Sequence, residues 1–115
     1  TMSEEPKIKD NAMYRLGREG DVETFNSERE KGTQFDLIGA DFRGVNLTGI
    51  NADGLDLSNC YFRQADLRGL DLRGANLDGA SIHAARISGV YFPDDFSAEE
   101  LTMSLLQGTR LRRGK

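Results

Sequence analysis

The part of the chain that decides the fold runs from Phe35 to Asp94 and reads FDLIG ADFRG VNLTG INADG LDLSN CYFRQ ADLRG LDLRG ANLDG ASIHA ARISG VYFPD. Divided into these twelve units of five, it carries an apolar residue at the first and the third position of every unit. An α-helix repeats every 3.6 residues and a strand every two, so neither explains a period of five. Each unit is therefore predicted to be a short extended piece followed by a turn, with its first and third side chains pointing inward.

The units ADFRG, ADLRG and ANLDG resemble the A-(D/N)-L-x-x motif of the pentapeptide-repeat family. The resemblance covers about half of the chain and implies four units per coil of a right-handed, four-sided β-helix. Twelve units then imply three coils of twenty residues. The expected fold class is an all-β solenoid, a right-handed quadrilateral β-helix of about three coils with short helical caps at both ends.

Residues twenty apart are expected to stack in such a coil, and two pairs in the sequence bear on that spacing. Phe42 and Phe62 would stack in the core, where contacts between aromatic rings add to the burial of area. Glycine fills the fifth position of eight units, where it permits positive φ, but Gln64 and Ala84 also occupy this position. A turn type of their own at one shared corner would explain both residues.

The sequence outside the repeats divides into three segments. Residues 1–10 are predicted to be a disordered tail, in which Thr1 before Met2 is interpreted as a cloning remnant. Residues 11–34 are predicted to be an N-terminal helical cap, with a helical docking motif as the alternative, and residues 95–115 a C-terminal helix and basic tail. Such caps are expected because an array of repeats exposes the apolar interior of its first and last units.

Local signals predict where these helices begin and end. The N-terminal helical pattern breaks at Gly20, and Asp21 has the side chain of an N-cap for a second helix. At the other end of the chain, Ser97 and Glu100 have the spacing of a capping box, in which each residue caps the other. Gly108 is predicted to end the C-terminal helix.

The C-terminal helix is predicted to carry more apolar side chains than one narrow face requires. One face would cover the last coil, and the other would meet a second copy of the chain. The resemblance points the same way, since members of that family often dimerise through their C-terminal ends. A homodimer is one alternative and a monomer is the other. The candidate interface residues are Leu101, Met103, Leu105 and Leu106.

The last six residues are basic and contain Arg110, Arg112, Arg113 and Lys115. Short charged segments at chain ends are usually exposed and poorly ordered. This segment is therefore interpreted as a frayed, solvated end.

The sequence contains no arrangement of catalytic residues. His83 is the only histidine and falls in an outward position, where a solvated side chain is expected. Cys60 is the only cysteine and falls in an inward position, so it is interpreted as a small core residue and not as a nucleophile. No metal site, cofactor or intrachain disulfide is expected.

The Asp and Asn residues at second positions belong to the repeat. Short polar side chains of this kind often accept hydrogen bonds from the backbone of the turn that follows them. They are therefore expected to stabilise the turns of the units. The residues concerned are Asp36, Asp41, Asn46, Asn51, Asp56, Asp66, Asp71 and Asn76.

One outward column is basic. Fourth positions twenty apart hold Arg43, Arg63 and His83, with Tyr61 and Asp41 beside them. At the spacing of neighbouring coils, about 4.8 Å, like charges repel unless the side chains separate or are neutralised. One interpretation is a solvated face on which Asp41 reduces the repulsion between the positive charges. The other is a recognition face for an anionic or aromatic partner, with Arg43, Arg63, His83 and Tyr61 as the candidate binding residues.

Composition narrows the function further. The net charge is −4 and no segment is strongly basic, so binding to nucleic acid is not expected. No apolar run is long enough for a membrane span or a signal peptide, and a cytoplasmic protein is expected. These observations predict a non-enzymatic protein-interaction or scaffold module whose partner is another protein.

The resemblance supplies an alternative function. Some pentapeptide-repeat proteins are similar to DNA in shape and charge, bind type II topoisomerases and confer quinolone resistance. This chain would then be a DNA-mimicking modulator of DNA gyrase. Two features depart from that pattern: three coils span only about 15 Å at one strand spacing per coil, and the repeats contain five Arg beside eight Asp, so their charge is mixed.

Overall fold

A computed structural model describes residues 5–114 and contains three α-helices. Helix α1 spans Ala12–Glu19, α2 spans Val22–Glu30 and α3 spans Ala98–Gln107. The repeats lie between α2 and α3. Within the described residues, no helix combines the length and the apolar character needed to cross a membrane.

The helix boundaries are those that the sequence predicts. Gly20 ends α1 in the left-handed conformation with φ 77°, and the Asp21 side chain caps α2 by accepting a hydrogen bond from the Thr24 N–H. Helix α3 begins after Ser97, whose side chain accepts from the Glu100 N–H (3.1 Å), and ends at Gly108. Only this half of the predicted capping box, the bond from the Glu100 N–H to the Ser97 side chain, is formed. The Glu100 carboxylate, which would form the other half, binds Arg112 instead.

The repeat region contains no β-strand, so the predicted all-β solenoid, a right-handed quadrilateral β-helix, is wrong. Across residues 5–114 the only regular elements are the three helices, and parallel pairing occurs as seven isolated bridges of one residue pair each. The physical reason lies in the turn that closes each unit. Positive φ at most fifth positions interrupts the extended conformation before a second consecutive residue can pair.

Backbone hydrogen bonds join positions about twenty residues apart. The Phe42 N–H, for example, donates to the Tyr61 carbonyl over 2.9 Å, and the same pattern recurs along the repeats. Four consecutive units therefore form one level of a stack. We call residues 35–54 level 1, residues 55–74 level 2 and residues 75–94 level 3.

The core is built from the first and third positions of the units. All of these side chains are buried or half-buried, which confirms their predicted inward orientation. The predicted stack of Phe42 on Phe62 is also confirmed, with ring centroids 5.7 Å apart and ring planes inclined by 5°. Tyr14 of α1 packs on the other side of Phe42 at 5.3 Å, so α1 covers the apolar end of level 1.

The corner shared by Gly44, Gln64 and Ala84 has one conformation in all three levels. Gln64 has φ 60° and Ala84 has φ 56°, close to the 72° of Gly44, so the predicted separate turn type is wrong. The N–H of each residue donates to a carbonyl of the next layer of chain, over 2.8–2.9 Å. These hydrogen bonds fix the corner, and a non-glycine residue must adopt the left-handed conformation there.

Replacing Gln64 with glycine is expected to raise the free energy of unfolding by about 0.5–1 kcal/mol. The left-handed conformation costs a non-glycine residue about 1–2 kcal/mol, and the greater freedom of glycine in the unfolded chain offsets part of that gain. Gly44→Ala at the same corner, where an added Cβ meets no atom within 4 Å, should have the opposite sign. Urea unfolding of both variants measures the difference, and a Gln64→Gly variant less stable than the natural chain would contradict this account.

The segment before α1 is attached to level 1. The Lys7 N–H donates to the Gly39 carbonyl (2.9 Å), and the Asp41 N–H donates to the Lys7 carbonyl (2.8 Å). The predicted disordered tail, residues 1–10, is therefore wrong at Lys7; residues 1–4 of that prediction lie outside the described residues. The unpaired backbone groups at the edge of the stack bind the nearest extended segment.

The segment after α3 is attached to level 3, so the predicted frayed end is wrong at residues 110–114. The Leu111 N–H donates to the Ala80 carbonyl and the Gly79 N–H donates to the Leu111 carbonyl, both over 2.8 Å. The Leu111 side chain is 1% exposed within the core. Arg113 lies 3.6 Å from the Asp78 carboxylate, so the basic residues here have acidic partners. Lys115 lies outside the described residues.

Candidate binding surface

The four candidate binding residues lie together on one side of the stack. They line an open depression of about 360 Å³, which we call the arginine depression. The period of twenty explains this placement, because it sets each fourth position above the fourth position of the next level. The residues that line it are Pro6, Arg43, Tyr61, Arg63, Ser81, His83, Gln107, Gly108 and Arg110.

The two arginines of the predicted column differ in their partners. Arg43 holds Asp41 with two hydrogen bonds of 2.9 Å, from Nε and Nη2 to the two carboxylate oxygens. This guanidinium holds the pKa of the Asp41 carboxyl below its usual range. The side chain of Arg63 makes no hydrogen bond or ion pair with any residue from 5 to 114. Asp41 therefore relieves the charge of Arg43, and no residue from 5 to 114 does the same for Arg63.

Arg110 is a member of the site that the sequence prediction missed. Its guanidinium lies 5.0 Å from the centre of the Tyr61 ring, donates to the Tyr61 hydroxyl and donates to the Gly79 carbonyl over 2.8 Å. The signal in the sequence is Leu111, a single apolar residue within the basic segment. Its burial places Arg110 at the rim of the depression.

His83 is half-buried at the end of the column nearest α3. Its Nδ1 is buried and has no hydrogen-bond partner among the described residues, and Gly108 packs directly against the ring. A buried N–H without an acceptor is costly, so the neutral ring is expected to carry its proton on Nε2. His83 is thus a donor at Nε2 and is not the fully solvated side chain that the sequence predicts.

The candidate dimer residues on α3 separate into two pairs. Leu101 and Leu105 are half-buried and pack against the core of the stack. Met103 and Leu106 are exposed, with 46% and 62% of their surface accessible. Only the second pair is available to a partner.

Cys60 is held as a thiol in the core. Its Sγ–H donates to the Leu37 carbonyl over 2.9 Å, and burial raises the pKa of the thiol to about 12. The reactive thiolate is therefore scarce at neutral pH. Within residues 5–114, no three His, Cys, Asp or Glu side chains are grouped as metal ligands would be.

The second-position side chains form the predicted turn hydrogen bonds. Each carboxylate or amide oxygen accepts from the backbone N–H two residues further on, at 2.9–3.2 Å. In three units the fourth residue is an arginine that also binds the carboxylate through its side chain. These pairs are Asp41–Arg43, Asp66–Arg68 and Asp71–Arg73.

Asp66 and Asp71 are expected to stay ionised down to about pH 2. Hydrogen bonds from Arg68 and Arg73 are the largest cause, and they lower the pKa of each carboxyl to about 2. Because both values are lowered on folding, the pairs stabilise the fold above about pH 4, the unfolded value, and this contribution is lost as pH falls toward 2. Carboxyl ¹³C NMR titration measures the two pKa values.

The variant Arg68→Gln is the matched control for this titration. It should raise the pKa of Asp66 toward its ordinary value and leave that of Asp71 low, since Asp71 has its own arginine. If Asp66 titrated at the same pH in the variant and in the natural chain, the arginine would not be the cause.

The family comparison agrees with this architecture. The profile described as pentapeptide repeats matches eight copies in two overlapping segments, residues 33–69 and 56–92, which together cover more than half of the chain. The protein therefore belongs to the pentapeptide-repeat family. No curated protein sequence gives a significant match to the chain. No solved structure does so either.

Proposed function

We propose that the chain is a non-enzymatic protein-interaction module that binds its partner at the arginine depression. The observation that carries the proposal is Arg63, a cation without a partner among the described residues, set among Arg43, Tyr61 and Arg110. An exposed charge of this kind contributes little to stability but can contribute to recognition of a charged partner.

The stack supplies a rigid base for this surface. Tyr61 is bridged to Asp41 in level 1 and to Ser81 in level 3, so neighbouring parts of the site are joined by backbone hydrogen bonds. The space left inside the core is about 10 Å³, far below the roughly 300 Å³ of a small-molecule pocket. An exterior surface is therefore a better candidate for function than an interior cavity.

Affinity capture with the immobilised chain tests the proposal. The natural chain and the double variant Arg43→Ser, Arg63→Ser are compared with the control Arg68→Ser, Arg73→Ser, which removes the same charge outside the depression. A protein retained by the natural chain and the control, but lost with the first variant, is expected. Equal retention by all three would contradict binding at this surface.

Modulation of DNA gyrase by DNA mimicry is the second candidate, and the structure offers less support for it. The molecule measures 36 × 35 × 25 Å, which is not the shape of a rod. Three of its aspartates are paired with arginines two residues away, so the surface alternates in charge where a DNA mimic is negative. Inhibition of gyrase supercoiling at low micromolar protein would reverse this order.

We further propose that Met103 and Leu106 are the part of α3 that contacts a second copy of the chain. Both are large apolar side chains exposed on one helix. Light scattering of the natural chain and of Met103→Ser, Leu106→Ser tests this. A natural chain that is monomeric at high micromolar concentration would contradict it.

A further inference from the structure

We propose that the end of level 3 binds an extended segment of a partner protein along residues 85–89, which we call the free edge. The segment pairs its backbone with this edge and carries an acidic residue between two apolar ones. The free edge lies outside the arginine depression, so the inference does not depend on the proposed function. Three features carry it: the backbone groups of the edge, the apolar side chains beside it, and Arg86.

The free edge lacks the hydrogen bonds that the level below it makes. In level 2, the Leu67 N–H donates to the Arg86 carbonyl over 3.0 Å, and the Gly69 N–H donates in the same direction over 2.9 Å. The N–H groups at the same positions of level 3 belong to Ile87 and Gly89, and neither donates to any residue from 5 to 114. Both donors are therefore available to a further layer of chain.

The free edge also offers an acceptor. The Ala65 carbonyl of level 2 accepts from the Arg86 N–H over 2.9 Å, whereas the Ala85 carbonyl at the same position of level 3 accepts from no described residue. One acceptor followed by two donors suits an extended backbone, which presents N–H and carbonyl groups in turn. A small anion supplies acceptors only, so a peptide segment is the better occupant.

The chain already pairs with other parts of its two edges in this manner. Lys7 pairs with level 1, and Leu111 pairs with Gly79 and Ala80 of level 3. The Leu111 side chain enters the core, where it is 1% exposed. A segment with an extended backbone and an inward apolar side chain is therefore the kind of occupant that this stack accepts.

Apolar side chains beside the free edge are incompletely covered. Ile87 and Val90 occupy inward positions of their units but are only half-buried. At the same positions of level 2, Leu67 and Leu70 are fully buried. Helix α3 thus leaves part of the end of level 3 uncovered, and an apolar side chain placed above Ile87 would remove this surface from water.

Arg86 favours an acidic residue in the bound segment. It is the one residue with a positive charge among the second positions of the twelve units. Its guanidinium makes no hydrogen bond or ion pair within residues 5–114, and Asp66, one level below, is bound by Arg68 over 2.8 Å. A second-position carboxylate in a further layer would lie about 4.8 Å above Arg86 and would be attracted to it. The fitting segment therefore reads apolar, acidic, apolar, as the units themselves do.

Hydrogen exchange of the natural chain tests whether the edge is free. The amides of Ile87 and Gly89 should exchange about 100-fold faster or more than those of Leu67 and Gly69, which have acceptors. Protection of Ile87 and Gly89 that grows with protein concentration would assign the edge to a second copy and overturn the proposal. Protection at every concentration would overturn it as well, because the chain itself would then cover the edge.

An NMR titration with the peptide acetyl-Ala-Asp-Leu-Ser-Gly-amide tests the pairing. We expect saturable shifts of the Ile87 and Gly89 N–H signals, together with slower hydrogen exchange of both amides. The same peptide methylated on its Asp nitrogen loses the donor that faces the Ala85 carbonyl, and it should bind about fivefold more weakly. The proposal would be overturned by the absence of saturable shifts at these two amides, or by equal binding of the two peptides.

An exchange of charge tests the role of Arg86. The natural chain should prefer this peptide to acetyl-Ala-Lys-Leu-Ser-Gly-amide by about fivefold, and Arg86→Asp should reverse the preference. The variant should fold, since several other units hold Asp at the second position. Arg63→Asp is the matched control, because it makes the same change of charge in the arginine depression and should keep the preference of the natural chain. An unchanged preference in Arg86→Asp, or equal reversal in both variants, would overturn recognition of an acidic segment.

Discussion

Replacing Phe62 with alanine is expected to lower the free energy of unfolding by about 3–5 kcal/mol, the usual cost of removing a buried aromatic ring. Phe62 is 2% exposed and stacks on Phe42. It lies in level 2, between the other two levels, so the cavity would border both of them. Stability of a small domain is about 5–15 kcal/mol, and the variant is expected to be close to unfolding at elevated temperature. Urea unfolding followed by circular dichroism measures the loss.

Two variants control for this result. Phe62→Leu keeps most of the volume and should cost less than about 1.5 kcal/mol if the neighbours repack. Tyr91→Ala removes an aromatic ring of similar size that is 58% exposed and contacts the Arg73 guanidinium at 4.6 Å, and it should cost about 1 kcal/mol or less. A loss from Phe62→Ala no larger than that from Tyr91→Ala would mean that the aromatic stack does not support the fold.

Leu111→Ala is the second change for which we expect a large effect, about 2–4 kcal/mol. Leu111 is the buried anchor of the segment after α3, and its backbone accepts from Gly79 and donates to Ala80. The variant is expected to open this segment before the rest of the chain unfolds. Hydrogen exchange measures that opening, because the Gly79 amide loses its acceptor and should exchange about 30-fold faster or more.

The same variant connects the anchor to the arginine depression. Once the segment opens, Arg110 leaves the Tyr61 ring, so retention of the partner at the depression should weaken although no residue that lines the depression has been changed. Arg112→Ala is the control, since Arg112 is exposed and, among residues 5–114, its ion pair is with Glu100 at the surface. Unchanged protection of Gly79 in Leu111→Ala would show that Leu111 is not the anchor.

The sequence predicts the buried side chains of this protein well and the conformation of its backbone less well. The period of five identifies which side chains are buried, and the period of twenty brings Phe42 onto Phe62. Neither period states how many consecutive residues pair between levels. The turn at each fifth position limits pairing to isolated bridges, and this is why the expected β-helix is not found. The separate turn type predicted for Gln64 and Ala84 is wrong because the hydrogen bonds of the corner hold both residues in the left-handed conformation, against their own preference.

The residues of the candidate site also divide into those that the sequence could place and one that it could not. Arg43, Arg63 and His83 could be placed together because they share one position of the repeat. Arg110 could not, because it reaches Tyr61 across 49 residues from a segment that has no periodicity. Its place depends on the anchoring of Leu111, which is a tertiary contact.

The link between residues twenty apart has a consequence for changes of chain length. A tandem duplication of residues 55–74 would preserve every column, lengthen the stack by about 4.8 Å and leave both attached ends with the same kind of edge to bind. A duplication of only one unit of five between Arg43 and Arg63, such as residues 50–54, would instead rotate everything downstream by one corner. Arg63 would then no longer lie beneath Arg43, and the depression would be lost while the apolar pattern survived. Insertions in this chain are therefore tolerated by the core in steps of five and by the binding surface only in steps of twenty.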